Sequence, residues 1–428
     1  MNPDASIVRA IANDGGMDRP GDPRSGESTA RSRDRTASFL VSCLLSATAA
    51  HFINFSVILY AQEVFGSNLL AGVGFALCFG TPVVFGWYAG VICDRRSPIK
   101  IVHAAHLAFI AAVTGLGMAD RWIHDLDWRT SMMMACAFLV GIGWSFVAPG
   151  RMTALASVTT PDKLQKVSMV YNLMPIIGFG LAPALLAAVQ SAFGWQGTLV
   201  LPFVLFVASS ALLYGIYTPS NHEQAKPLLE DILAGIHTVT RSPLLRQTMM
   251  GAIIILMVVG PLQVLVLKMA RTQFGFSEMG SGSFMMILAP SIVVGGVLCM
   301  IVAKHWSHGK VLTFAIIIVG MLLAAMSGAH DRSSAIGLLF MIGVASGFGS
   351  SIVSSTIQTQ APTAFRGRVM SIYGITTQVM PALSGLVAGI LSHSLGEPAA
   401  MMICGIAIAA FGLLNVPWTR ELRAFRGS

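Results

Sequence analysis

The chain has 428 residues, 54% of them apolar and only 11% charged, with a net charge of +8 and a mean hydropathy of +0.72. A soluble globular chain is about one quarter charged, so this composition excludes an ordinary soluble domain and places the chain in a bilayer. The six cysteines stand singly with no C-x-x-C pair, which argues against a zinc site or a disulfide framework.

Residues 1–36 carry six Arg and six acidic residues among Ser and Gly, with few apolar residues. They read as a disordered, near-neutral tail. A membrane span needs about 20 residues to cross about 30 Å of hydrocarbon. Twelve apolar runs meet that length, at 38–62, 69–92, 99–119, 130–150, 167–190, 196–217, 247–269, 280–303, 311–329, 334–357, 369–392 and 398–418. Most of the 27 Lys and Arg fall in the tail and in the loops on the tail's side. Arg121, Arg129, Lys268, Arg271 and Arg332 are the exceptions. That asymmetry predicts cytoplasmic termini at both ends, and it explains the net positive charge without nucleic acid. No Lys or Arg is expected deep in a span. Arg151, at the end of span 4, is expected to snorkel to lipid phosphate or to pair within its loop, and it could also meet an anionic substrate.

The segment KPLLEDILAGIHTVTRSPLLR between spans 6 and 7 has Leu229, Ile232, Leu233 and Ile236 at helical spacing. It predicts an amphipathic helix on the inner leaflet. Two short segments echo each other: KVSMVY at Lys166–Tyr171 and RVMSIY at Arg368–Tyr373, 202 residues apart, each after a proline-containing loop. The expected organisation is therefore a tail (1–36), a six-helix bundle (37–218), a linker (219–245), a second bundle (246–418) and a C-terminal tail (419–428).

The polar stretch GVICDRRSPIK, Gly90–Lys100, lies between spans 2 and 3 and must lie in water, because hydrocarbon cannot solvate its charges. It resembles the loop between helices 2 and 3 of major facilitator superfamily transporters, with Gly90, Asp94, Arg95 and Lys100 in the matching places; Ser97 and Ile99 depart from that pattern. PGRMTAL (Pro149–Leu155) and FRGRVMSIYG (Phe365–Gly374) resemble the branch that includes the enterobactin exporter and macrolide efflux proteins. GFGLAP in span 5, with Gly178 and Pro183, is similar to a proton-antiporter motif, although Ala182 replaces a glycine; close helix packing explains the same residues. The resemblance implies an all-α membrane protein with twelve transmembrane helices in two pseudo-symmetric six-helix bundles and a cargo site between them. It also implies a cytoplasmic gate in which Asp94 meets the N-terminus of span 11 near Arg366 and Arg368. The equivalent stretch AKHWSHGKVL between spans 8 and 9 lacks an acid.

No Asp or Glu lies in the middle of a span. His51, near the centre of span 1, is the candidate proton-coupling group, since histidine titrates near neutral pH; a neutral, hydrogen-bonded core histidine is the alternative. Asn54 shares its face, whereas His103 and His106 receive no role. Asn54, Tyr171, Asn172, Gln263, Gln358 and Gln378 are candidates to line the cargo cavity or to bond helices together. The expected activity is proton-driven export of a siderophore-like metabolite or lipophilic drug, by alternating access across a bacterial cytoplasmic membrane. Uptake by symport, or a transport-inactive assembly or sensing role, are the alternatives. The partners are a small-molecule cargo, lipid and protons; no cofactor, metal or nucleic acid is expected, and the chain is expected to be monomeric. Paired carboxylates, a metal cluster, a Ser-His-Asp set and a phosphate loop are all missing from the sequence, which argues against an enzyme.

Overall fold

The structure is a computed structural model describing residues 24–160, 163–216, 218, 228–302, 306–362 and 365–425, with the backbone alone at 24–34, 87, 90, 91, 94, 95, 156, 165 and 228–232. The first part of the tail, 1–23, lies outside the described residues. The chain is helical almost throughout. In order the helices are α1 (Arg24–Glu63), α2 (Asn68–Arg95), α3 (Pro98–Trp122), α4 (Leu126–Val158), α5 (Leu164–Leu212), α6 (Leu228–Arg241), α7 (Pro243–Leu256), α8 (Val259–Thr272), α9 (Glu278–Met286), α10 (Leu288–Val302), α11 (His308–Met326), α12 (Arg332–Gln360), α13 (Arg366–Leu395), α14 (Glu397–Leu414) and α15 (Arg420–Ala424).

Among the described residues, eleven helical stretches are long and apolar enough to cross a membrane, and one of them is long enough to cross twice, which gives twelve crossings. The stretch Lys166–Leu212 has 47 residues, which is about 70 Å at 1.5 Å per residue and more than twice the hydrocarbon thickness. It reverses at Gly194, whose φ of 64° and ψ of −166° suit only glycine. Conversely, α7 with α8 and α9 with α10 each make one crossing broken in two. The breaks fall at Met257–Val258 and Ile287. Pro261 and Pro290 follow within a turn of each break. A proline ring clashes with the carbonyl four residues back and offers it no N–H.

Polar caps set the helix starts. Ser67, Asp125, Ser242, Ser277 and Ser307 each accept from a backbone N–H three residues on. Asp331 does the same for α12. The bond from the Ser334 N–H, with that from its hydroxyl, holds the Asp331 carboxyl below its ordinary range. The cap is present above the unfolded carboxylate range and loosens as pH falls through the lowered value.

The twelve crossings bring the start of α1 and the end of α14 to one face, called here the terminal face; the other is the distal face. Thr36 Oγ1 donates to Val158 O, tying the start of α1 to the end of α4. His308 N donates to Phe425 O, tying α11 to the C-terminal segment. α1 and the α7–α8 crossing are buried on most sides, whereas the other crossings bury less than half of theirs. They meet where Gln62 Nε2 donates to Val264 O at 2.8 Å across a separation of 202 residues. That separation equals the offset between the two echoed segments, as expected for equivalent positions meeting on a pseudo-two-fold axis. The amphipathic α6 turns Gly235 toward Ile372 and Arg368 of α13 and leaves Leu233 and Ile236 exposed; the side chains of Leu229 and Ile232 lie outside the described residues.

An alanine at Gly194 forces a side chain into a backbone region reserved for glycine. We expect Gly194→Ala to lower stability by about 1–3 kcal/mol, read as a depressed thermal midpoint in detergent, with nothing packed against the site to add a steric effect.

Candidate functional site

The apolar part of α1, Arg35–Glu63, buries His51 and Asn54 one turn apart, with His51 among aromatic rings. The His51 ring lies 5.1 Å from Trp144 of α4 and 5.3 Å, edge-on, from Phe179 of α5. Phe55 approaches Phe179 at 5.8 Å, and Phe79 and Phe109 approach Trp144 at 6.2 and 6.1 Å. His51 Nδ1, both polar atoms of the Asn54 amide and Trp144 Nε1 are buried with no hydrogen-bond partner. A buried polar atom left unpaired costs about 1–3 kcal/mol, so four of them in one neighbourhood of the spans call for partners that water or a bound molecule supplies. Trp144 and Phe179 escaped the sequence reading. The signal for Trp144 was an indole N–H inside an apolar run, which needs a partner when buried.

The other cavity candidates do not gather around His51. Gln263 is buried in α8 with its Oε1 unpartnered. Tyr171 is half-buried and Asn172 exposed on α5. Gln358 is exposed near the end of α12, donating to Ser354 Oγ at 3.2 Å, and Gln378 is half-buried on α13. Gly178 is packed so closely on α1 that a Cβ would stand 2.7 Å from Thr48 N, and the Pro183 carbonyl lies against Gly282 of α9. Both residues of the antiporter-like motif thus have packing roles.

Gly90–Lys100 is mostly helix, in contrast to the expected loop. α2 runs on through Arg95, and the turn is reduced to Arg96 and Ser97 before Pro98 opens α3. A residue before proline is pushed toward extended backbone, which ends α2 there. Ser97 Oγ pairs with Thr218 Oγ1 at 2.9 Å. The side chains of Asp94 and Arg95 lie outside the described residues, as does that of Gly90's neighbour Val91. Lys100 and Arg366 are exposed, and Arg368 covers the Phe365 ring at 5.1 Å.

Arg151 corrects the expectation of a side chain that snorkels to lipid or pairs within its own loop. It is 3% exposed, enclosed by α1, α3, α4 and the second crossing of α5. Nη1 donates to Cys43 Sγ at 2.5 Å. Nη2 donates to Ser46 Oγ at 2.7 Å and reaches Ser42 O, Ser42 Oγ and Ser209 Oγ at 3.2 Å. His106 Nε2 lies 3.2 Å away. A guanidinium has no lone pair to offer, so Nε2 accepts, and Nδ1 carries the proton and donates to Ser210 Oγ at 2.7 Å. His106 is therefore held neutral in one tautomer. Its two Nη groups are solvated by hydroxyls, a thiol and an imidazole, while Nε is buried without a partner, and the Phe39 ring lies 5.9 Å from the guanidinium carbon.

The family model described as the Major Facilitator Superfamily matches residues 39–385. Macrolide efflux protein A of Streptococcus pyogenes is 19% identical over 388 residues, covering 89% of this chain and 94% of that protein. Multidrug efflux pump Tap of Mycolicibacterium fortuitum is 24% identical over 351 residues, covering 78% of this chain and 80% of the pump. A crystal structure of a POT family transporter in complex with a thioalcohol-conjugated peptide superposes with a TM-score of 0.72 at 10% identity, covering 90% of this chain and 96% of that one. At that identity the likeness concerns the fold.

Lysine keeps the charge of Arg151 but not its fork of donors. We expect Arg151→Lys to leave several of the surrounding acceptors unpaired and to cost about 1–3 kcal/mol, measured as a lower thermal midpoint of the purified protein with membrane insertion retained.

Proposed function

Because the chain belongs to the major facilitator superfamily, whose members are transporters rather than enzymes, we propose that it exports a lipophilic, aromatic cargo from a bacterial cell by proton-driven alternating access. The distal face is then the outer face and the terminal face the cytoplasmic one, in keeping with the distribution of Lys and Arg. The observation that carries this reading is the uncharged polar cluster of His51, Asn54 and Trp144 between aromatic rings. Rings take up a flat apolar body, and the unpaired amide, imidazole and indole groups offer donors and acceptors to a few neutral polar atoms. A drug-like or siderophore-like molecule matches that chemistry; a phosphate or sugar acid does not. The relatives named for macrolide and multidrug efflux support the direction of transport.

His51 is the proposed proton-binding group. Its Nδ1 is unpaired, and all acids stand at span ends or beyond them. A proton arriving from the outer side as cargo leaves would bind there and be released inward as the next cargo enters. On the cytoplasmic face, Asp94 at the end of α2 is proposed to close against the N-terminus of α13, where a carboxylate gains about 0.3–1 kcal/mol from the helix dipole and has Arg366 and Arg368 within the same helical turn.

The test uses everted vesicles and a fluorescent lipophilic dye. Acidifying the lumen should drive the dye inward, which reports export from the cell; accumulation driven by the opposite gradient indicates uptake by symport and overturns the direction. His51→Ala should lose pH-driven accumulation while retaining passive exchange, and concentrative flux in that variant sinks the assignment of His51. Asp94→Asn should insert normally yet lose most of its transport, checked as dye flux per unit of protein in the membrane.

A further inference from the structure

The apolar arc of α6 is wider than the surface it packs on. Gly235 and Val239, one turn apart, form its buried side. A Cβ on Gly235 would stand 3.0 Å from Ile372 Cδ1 and 3.2 Å from Arg368 Cβ, both on α13. At helical spacing, Leu233, Ile236 and Thr240 share the neighbouring strip of the same helix. All three are exposed, Leu233 by 54% and Ile236 by 44%. His237 and Arg241 follow further round, also exposed, and begin the polar side. One apolar strip of α6 thus meets protein, and a second lies open beside it.

Chain connectivity and packing together fix the depth at which α6 lies. Ser242 alone separates its last residue, Arg241, from Pro243, where the next crossing begins. Two Cα–Cα steps span about 8 Å at most, so the end of α6 stays at that entry point. Its middle backs onto Arg368 and Ile372, in the first two turns of α13, and α13 is a crossing too. A helix held at the entry points of two crossings lies at headgroup level. The cations of this face are free to meet lipid. Arg241, Arg246, Lys310 and Arg366 are exposed, and among the described residues none of them forms an ion pair. An open apolar strip bordered by cations complements an anionic bilayer surface.

We infer that α6 is a lipid-binding element: Leu233 and Ile236 enter the boundary between headgroups and acyl chains, Arg241 and Arg246 hold anionic phospholipid, and the hold passes through Gly235 to the first turns of α13. The leaflet is the inner one, an assignment that rests on the cytoplasmic position proposed for the terminal face. Each base close to an anionic surface strengthens the contact about fivefold, or about 1 kcal/mol. Because Gly235 lacks a side chain, α6 sits directly against Ile372 and Arg368. A change in how firmly lipid holds α6 is therefore felt by α13, and the charge of the surrounding lipid sets the rate of transport.

The experiment places nitroxide labels through Leu233→Cys, Ile236→Cys and His237→Cys, the native cysteines all being buried. The full chain is reconstituted in phosphatidylcholine vesicles with and without phosphatidylglycerol. In the mixed vesicles the labels at 233 and 236 should meet dissolved oxygen more than a water-soluble nickel chelate. The label at 237 should show the reverse. Dye flux of the unlabelled protein should rise with phosphatidylglycerol. Arg241→Gln combined with Arg246→Gln should weaken the apparent affinity for phosphatidylglycerol in that rise at least about fivefold. Labels at 233 and 236 that favour the chelate overturn the inference, because α6 then faces water. Labels that neither reagent reaches overturn it too, since a second copy or another protein then covers the strip. Flux indifferent to phosphatidylglycerol overturns the link to α13. A chain that moves no dye in either lipid, yet shows the lipid-facing labels, leaves the lipid contact standing and removes the transport reading instead.

Discussion

The constraint on which this molecule depends is the absence of water inside the hydrocarbon layer. A polar group there must find a partner in the chain or remain unpaired at considerable cost. Many of the buried hydroxyls comply by bonding back along their own helix: Thr81 to Leu77, Ser145 to Gly141, Thr198 to Gly194, Ser291 to Ile287 and Thr376 to Ile372. Arg151 complies at both Nη atoms, recruiting side chains from three other segments of the chain, and leaves its Nε unpaired. His51, Asn54 and Trp144 do not comply: four of their buried polar atoms lack a partner, as do Gln62 Oε1, Arg151 Nε, Gln263 Oε1 and Ser346 Oγ elsewhere in the spans. Groups of that kind mark where a molecule from outside the chain can contribute.

The architecture was open to inspection in the sequence because length and apolarity are one-dimensional properties. The predicted runs lie within the apolar helical stretches of the structure, and the reversal at Gly194 falls in the gap between the fifth and sixth predicted spans. The turn after α2 was less accessible. Its charges imply water, but water does not imply a loop: a helix can run on into water, and α2 continues through Arg95 until Pro98 stops it.

Sites were harder to read than spans because they join distant positions. Arg151 at the end of an apolar run looks like any snorkelling residue. What buries it are Ser42, Ser46 and Ser209, small residues with no periodicity or spacing to announce a shared partner. The distal charges illustrate the converse. Lys268 and Arg271 read as charges on the side away from the tail, but pairing Arg271 with Glu63 needs the packing of α1 on α8. Trp144 was visible too, and only the folded chain brings its ring to His51.

The two halves differ in one respect that bears on mechanics. The crossings made by α7–α8 and by α9–α10 are interrupted next to Pro261 and Pro290, whereas α1 and α2, their counterparts by the repeat, run unbroken. An uninterrupted rod transmits torque along its whole length; a jointed one absorbs part of it. The leading crossings of the first half are thus continuous rods and those of the second half are jointed, so a load applied at one face is carried to the other in the first half and partly taken up at the joints in the second.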